Sequence, residues 1–217
     1  MGADETPEVD PVAGYDAAAA EIARRYESVQ AEAVHAAVAD LVLSRAGGRA
    51  LDVGAGSGRD AAWLARLGYA VIAVEPAAGL RAEAQARHAG SGVRWLDDRL
   101  PDLEVTHALG HAFDLILLSG VWMHVRPGDR PQALRSLASL LAGEGVLLIS
   151  HRNPSAVPDR PMWACPAGEL EGLAAGSGLR VIRSVPAEDR LGRGDVRWTS
   201  TALTHAGLMR AESGPPT

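Results

Sequence analysis

The sequence predicts an α/β protein built on a single doubly wound sheet with helices on both faces. Three observations carry that expectation. Short apolar segments alternate with helical patterns through the middle of the chain, a glycine-rich turn joins the first strand to the helix after it, and the last two strands follow each other with no helix between them. Alternation of this kind builds right-handed β-α-β units around a parallel sheet. At 217 residues the chain fits one domain with a core large enough to need neither metal nor disulfide.

Residues 1–13 are rich in proline and acids and are expected to be disordered. Gly2 and Thr6 match the bare myristoylation pattern, but acids crowd the segment and no polybasic patch offers a second anchor. Residues 14–46 form the expected N-terminal helical lid. Within them 16–45 is helical in pattern, with Val34, Val38 and Leu41 on one stripe and a break near Ser28. The core is expected over 47–207. Its strand 50–53 leads into helix 58–67, strand 70–74, helix 77–88, strand 93–96 and strand 113–119. Helix 130–141 opens with Pro131 in its first turn and buries Leu134, Leu137 and Leu141, and strand 145–150 follows. After an irregular stretch to Cys165, a helix with Leu170 and Leu173 leads to strand 179–185, a polar loop to Gly194 and a last strand 197–203. Lacking a helix between them, these two strands should pair antiparallel. Residues 208–217 read as a flexible tail.

The stretch around Asp52, Gly54, Ala55, Gly56, Ser57, Gly58 and Asp60 carries the chemistry. Glycines can take positive φ and let a ligand lie against the backbone, and the N–H groups of a new helix favour an anionic group. A dinucleotide fingerprint needs a third glycine at position 59, where this chain has Arg59. The chain has no lysine, which removes the Walker-type phosphate loop. Glu75 closes the second strand about 20 residues beyond the loop, where α/β nucleotide sites hold ribose hydroxyls. Asp97 and Asp98 end the third strand, and Ser119, Gly120 and Val121 end the fourth.

Four strand-end motifs in this order, headed by hydrophobic-Asp-hydrophobic-Gly-x-Gly-x-Gly, resemble the class I S-adenosylmethionine (SAM) dependent methyltransferases over about residues 50–205. The resemblance implies a seven-stranded sheet in the order 3-2-1-4-5-7-6 with strand 7 antiparallel, and SAM as cofactor. It implies cofactor contacts from the loop residues above, from Glu75, Pro76 and Leu80, and from Ser119, Gly120 and Val121. An adenine contact is implied from Asp97 or Asp98, with Arg99 and Leu100 beside them. Tyr15, Arg24, Arg25 or Tyr26 of the N-terminal helix would fold over the methionine end, with Arg59 as an alternative partner for its carboxylate. Asp52 has two compatible roles, ligand contact and brace of the turn.

Methyl transfer from a sulfonium is an in-line displacement that needs an aligned, deprotonated acceptor and no metal. His124 and His151, each following a strand end, are the candidate bases, and a structural role for His124 is the competing reading. Trp122, Met123, Met162 and Trp163 are candidates for the wall of an acceptor pocket, with ordinary packing as the alternative. The lid would come from residues 14–30 and 151–166. The net charge is −6 with the arginines scattered among acids, which disfavours a nucleic-acid partner and favours a small molecule. The one cysteine excludes an intrachain disulfide, no Cys/His set has metal-ligand spacing, and no apolar run approaches a membrane span. A cytoplasmic monomer or homodimer is expected, and the all-arginine, alanine-rich composition points to a bacterial source. The alternatives are a methyltransferase acting on tRNA or a peptide, and a SAM-binding protein without turnover.

Overall fold

The computed structural model describes residues 10–153 and 160–207. The expected disorder of most of the N-terminal segment, the flexible tail and the middle of the 151–166 stretch lie outside the described residues.

Seven strands form one sheet: β1 (Arg49–Val53), β2 (Ala70–Val74), β3 (Arg94–Leu96), β4 (Phe113–Ser119), β5 (Leu141–Arg152), β6 (Leu179–Ala187) and β7 (Trp198–His205). Their order is β3-β2-β1-β4-β5-β7-β6. The first five pair in parallel and β7 lies antiparallel to both β5 and β6. This is the order the sequence resemblance implies. The helices are α1 (Pro11–Ala17), α2 (Ala19–Tyr26), α3 (Ala31–Val34), α4 (Ala39–Leu43), α5 (Arg59–Arg66), α6 (Ala78–Arg87), α7 (Glu104–His107), α8 (Arg130–Leu140) and α9 (Glu169–Ala175).

Central strands bury both faces, as a parallel sheet covered by helices requires. Along β4 the alternation sends Ile116 and Leu118 to one side with Leu134, Leu137 and Leu170, while Leu115 and Leu117 pack on the other with Trp63, Leu64 and Val42. A third cluster, Ile22 and Ala23 against Ala77 and Leu80, seats α2 on the start of α6. That contact brings the N-terminal segment over the carboxyl ends of the strands.

The expected helix over 16–45 is corrected to four short helices beginning at Pro11. Two side-chain demands break it. Ser28 Oγ donates to the Arg25 carbonyl where α2 ends, and His35 leaves helical geometry to stack on Trp63 and approach Asp60 Oδ2 at 3.1 Å. Strand β5 starts four residues before the expected 145 and runs past it to Arg152, and α7 was not expected.

Candidate active site

A cavity of about 680 Å³ opens beyond the carboxyl ends of β1, β2, β4 and β5, within the size range of small-molecule sites. It lies where the strand order reverses between β1 and β4, the position at which open α/β sheets bind ligands.

The glycine loop forms its floor. Gly54 and Gly56 have φ of +68° and +58°, and a Cβ on Gly54 would overlap Val121 Cγ2. Glu75 fixes the loop from the neighbouring strand end. Its Oε2 accepts from the Gly56 N–H at 2.8 Å and its Oε1 from the Ala77 N–H at 2.9 Å. Burial raises the Glu75 pKa, and those two amides oppose the rise. Gly58 has another reason to be glycine: φ is +86°, and a Cβ there would meet His88 Cδ2 at 2.8 Å and Trp95 at 2.9 Å.

Under the loop, Asp52, Ala55, Ser57 and Asp60 line a separate pocket of about 40 Å³, room for one water molecule. Asp52 is buried, its Oδ2 lacks a hydrogen-bond partner, and burial with the nearby Asp60 carboxylate raises its pKa. Asp60 is also buried, yet the Arg59 guanidinium at 2.7 Å and His35 outweigh burial and hold its carboxyl well below the usual range. Arg59 Nη1 further donates to the Tyr26 carbonyl, so the arginine ties the end of α2 to the loop.

Of the two carboxylates after β3, Asp98 faces the cavity and Asp97 does not. Asp97 is exposed and pairs with Arg81 at 2.8 Å. Asp98 is braced by the Arg99 amide at 2.9 Å and by the Thr106 amide and hydroxyl at 2.8 and 2.7 Å. The unexpected helix α7 supplies that threonine. Pro76, Leu80, Arg99, Leu100, Ser119, Gly120 and Val121 all line the cavity.

From the N-terminal helices Tyr15, Arg25 and Tyr26 reach the cavity, whereas Arg24 is exposed outside it. Tyr15 hydroxyl lies 3.0 Å from His124 Nε2, and His124 Nδ1 lies 2.8 Å from the Pro161 carbonyl. A carbonyl only accepts, so Nδ1 carries hydrogen and Tyr15 donates to Nε2 of a neutral ring. Burial lowers the His124 pKa, with Arg152 and Arg160 adding to it. Burial and the neighbouring Tyr26 push the Tyr15 phenol well up.

His151 is a correction. The sequence pattern places it just past a strand end at the site, but β5 continues through it, and its charged neighbours are Glu169, Arg130 and Glu171 on the α8 and α9 side. Strand alternation instead turns Ser150 and Arg152 into the cavity. Met123 and Met162 line it as well, while Trp122 is buried in the core over Arg130 and Trp163 lies outside the lining.

The sequence reading missed the wall between β6 and β7, where Asp189, Arg190, Arg193 and Trp198 face the cavity. Trp198 Nε1 donates to Asp189 Oδ1 at 2.9 Å, and Arg193 pairs with the same carboxylate. The cluster of charges in an otherwise unexplained hairpin loop was the available signal.

A family model described as a methyltransferase domain matches residues 51–149. Among curated proteins none matches the sequence. Several solved structures share the fold. A Burkholderia thailandensis 1,6-didemethyltoxoflavin-N1-methyltransferase, solved with 1,6-didemethyltoxoflavin and S-adenosylhomocysteine, is 21% identical, with 94% of this chain and 91% of that chain covered and a TM-score of 0.73. A Clostridium acetobutylicum S-adenosylmethionine-dependent methyltransferase is 11% identical over 89% of this chain and 100% of the other, with a TM-score of 0.69. The magnesium protoporphyrin IX methyltransferase of Synechocystis PCC 6803, solved with SAM, is 18% identical over 87% and 83%, with a TM-score of 0.59. Residues 51–149 thus carry a methyltransferase domain, and the chain as a whole has the fold of the class I SAM-dependent methyltransferases it resembles.

Proposed function

We propose that this protein transfers the methyl group of SAM to an oxygen or nitrogen of a small-molecule acceptor. One observation carries the reading: the glycine loop, Glu75 and Asp98 converge on a single cavity at the strand-order switch. The cavity fits such a cofactor, since the positive-φ glycines form a cradle, and buried Glu75 and half-buried Asp98 line it where hydroxyl and amino groups would lie. Glu75 would accept from the ribose hydroxyls through the lone pairs its two amide contacts leave free. Asp98 would accept from the adenine amino group, Arg25 would face the methionine carboxylate, and Gly120 and Val121 would flank the sugar and base.

When bound, SAM supplies an electrophilic methyl on a sulfonium. The acceptor atom would take that methyl in line, the carbon–sulfur electron pair going to sulfur. The chain's task is to align the acceptor, exclude water and receive a proton. His124 suits the last role because its neutral Nε2 is an acceptor facing the cavity through Tyr15. Tyr15, Tyr26 and the rest of α1 and α2 form the proposed lid, with 47–207 as the catalytic core. A monomer or homodimer suffices for this arrangement. At the mouth, Glu21, Glu188 and Asp195 stand among the arginines, a mixture that disfavours a polyanionic RNA.

Turnover is tested by incubating the protein with methyl-labelled SAM and pooled small acceptors. Mass spectrometry should find a labelled product one methyl heavier. Tight binding of S-adenosylhomocysteine with no transfer to small molecules, and transfer to tRNA or peptide instead, would contradict the small-molecule assignment.

A further inference from the structure

Ser119, Ser150 and Ser200 form a row across three neighbouring strands, since Ser150 pairs with Ser119 in the β4–β5 ladder and with Ser200 in the β5–β7 ladder. All three line the cavity. Directly paired residues stand on one face of a sheet, so three short side chains leave space that larger ones would fill. Ser150 supplies the polar anchor. It is 7% exposed and its hydroxyl lacks a hydrogen-bond partner, so a ligand group placed there would satisfy a buried donor. Trp198, two residues before Ser200 on the same face of β7, walls the row. Its indole is held at both ends: Nε1 donates to Asp189 Oδ1 at 2.9 Å, and a Cβ on Gly120 would lie 3.2 Å from Cη2. That same Cβ would lie 3.9 Å from Met123 Cε, so indole and thioether methyl meet at the end of β4. Val121, the next residue, packs instead on Gly54 of the glycine loop.

We propose that this slot takes an uncharged, flat aromatic acceptor, its ring against Trp198 and Met123 and a hydroxyl or carbonyl on its rim bonded to the Ser150 hydroxyl. An indole and a thioether both favour an aromatic ring as neighbour. Charge is disfavoured because the charged groups of this wall are already engaged. Arg193 pairs with Asp189 and Arg190 with Glu188, Arg152 Nη1 donates to the Asn153 carbonyl at 3.2 Å, and the Arg160 guanidinium sits 5.2 Å over the Tyr15 ring. An ionic group brought in beside them would lose water without gaining a counter-charge of its own. The proposal rests on the methyltransferase reading for the word acceptor, while the slot stands on its own residues.

The test is calorimetry at about pH 7 with naphthol, naphthoate and naphthylmethylamine, which are neutral, anionic and cationic there, and with saturated decalol. Each is titrated with and without S-adenosylhomocysteine. Naphthol should bind at least about tenfold tighter than either ion and at least about threefold tighter than decalol, which is not flat. Ser150→Ala should weaken naphthol about fivefold and Trp198→Leu at least about tenfold, with S-adenosylhomocysteine affinity retained as evidence of folding. Should Trp198→Leu lose that affinity, Ser150→Ala alone decides. Naphthoate or the amine binding as tightly as naphthol, or a Ser150→Ala protein that binds naphthol unchanged, overturns the proposal. So does the absence of naphthol binding, whether or not S-adenosylhomocysteine binds. Naphthol binding to a protein that does not bind S-adenosylhomocysteine would instead strike at the cofactor reading and leave the slot standing.

Discussion

Glu75 joins structure to chemistry through one carboxylate, because the oxygens that shape the glycine loop also face the cavity. Glu75→Gln keeps the volume but sets an amide N–H against a backbone N–H. It should weaken S-adenosylhomocysteine binding by about 1–3 kcal/mol in titration calorimetry, with a lower melting temperature from the loosened loop. His124 gives a pH prediction. Its folded pKa lies below the ordinary 6.5, so on acidification the unfolded chain takes up the proton first. The stability its neutral form contributes is therefore present above pH 6.5 and lost as pH falls through the lower folded value. Denaturation curves from about pH 8 to about pH 5 should show that loss, and His124→Gln should flatten it. An imidazole titration midpoint at or above 6.5 would contradict the assignment. Residue roles were legible where chain order fixed them. Asp97 and Asp98 were not separable in sequence because both directions of a strand-end turn are open to a carboxylate; Arg81 draws one out and Thr106 draws the other in. Arg152 rather than His151 faces the cavity because β5 runs two residues past the expected end at 150.

At the scale of elements, the loop between β1 and α5 depends on backbone that only glycine accepts comfortably. Gly58→Ala forces a side chain into positive φ and against His88 and Trp95, and should cost about 1–3 kcal/mol in chemical denaturation. The lid makes a different prediction. Helix α2 is attached by the cluster of Ile22, Ala23, Ala77 and Leu80 and by the Arg59 bond to Tyr26, contacts that the proposed lid would tighten when ligand binds. S-adenosylhomocysteine should slow hydrogen exchange over residues 15–28, and deleting 1–28 should keep the folded core while weakening its binding by at least about tenfold. Identical exchange in both states would show that this segment does not respond to the ligand. Core strands and helices were legible to within a few residues because burial enforces their periodicity. The N-terminal helices were not, since His35 answers to Trp63 and Asp60, partners far along the chain that no local pattern announces.

For the whole molecule, the reversed last strand was readable because no helix separates it from β6, so the bare loop before β7 permits a hairpin, whereas the full strand order was implied only by the resemblance to a known family. The cavity wall formed by β5, the β6–β7 loop and Met162 was less readable, because these segments are brought together only by the completed sheet. Among the described residues no helix is long and apolar enough to cross a membrane. Arg59, clamped on Asp60, occupies the position of the third fingerprint glycine, which favours SAM over a dinucleotide. Titration calorimetry of S-adenosylhomocysteine and of NAD against the same protein tests this most directly. S-adenosylhomocysteine should bind at one site in the micromolar range with no measurable heat from NAD; tight NAD binding with S-adenosylhomocysteine silent would contradict a SAM site.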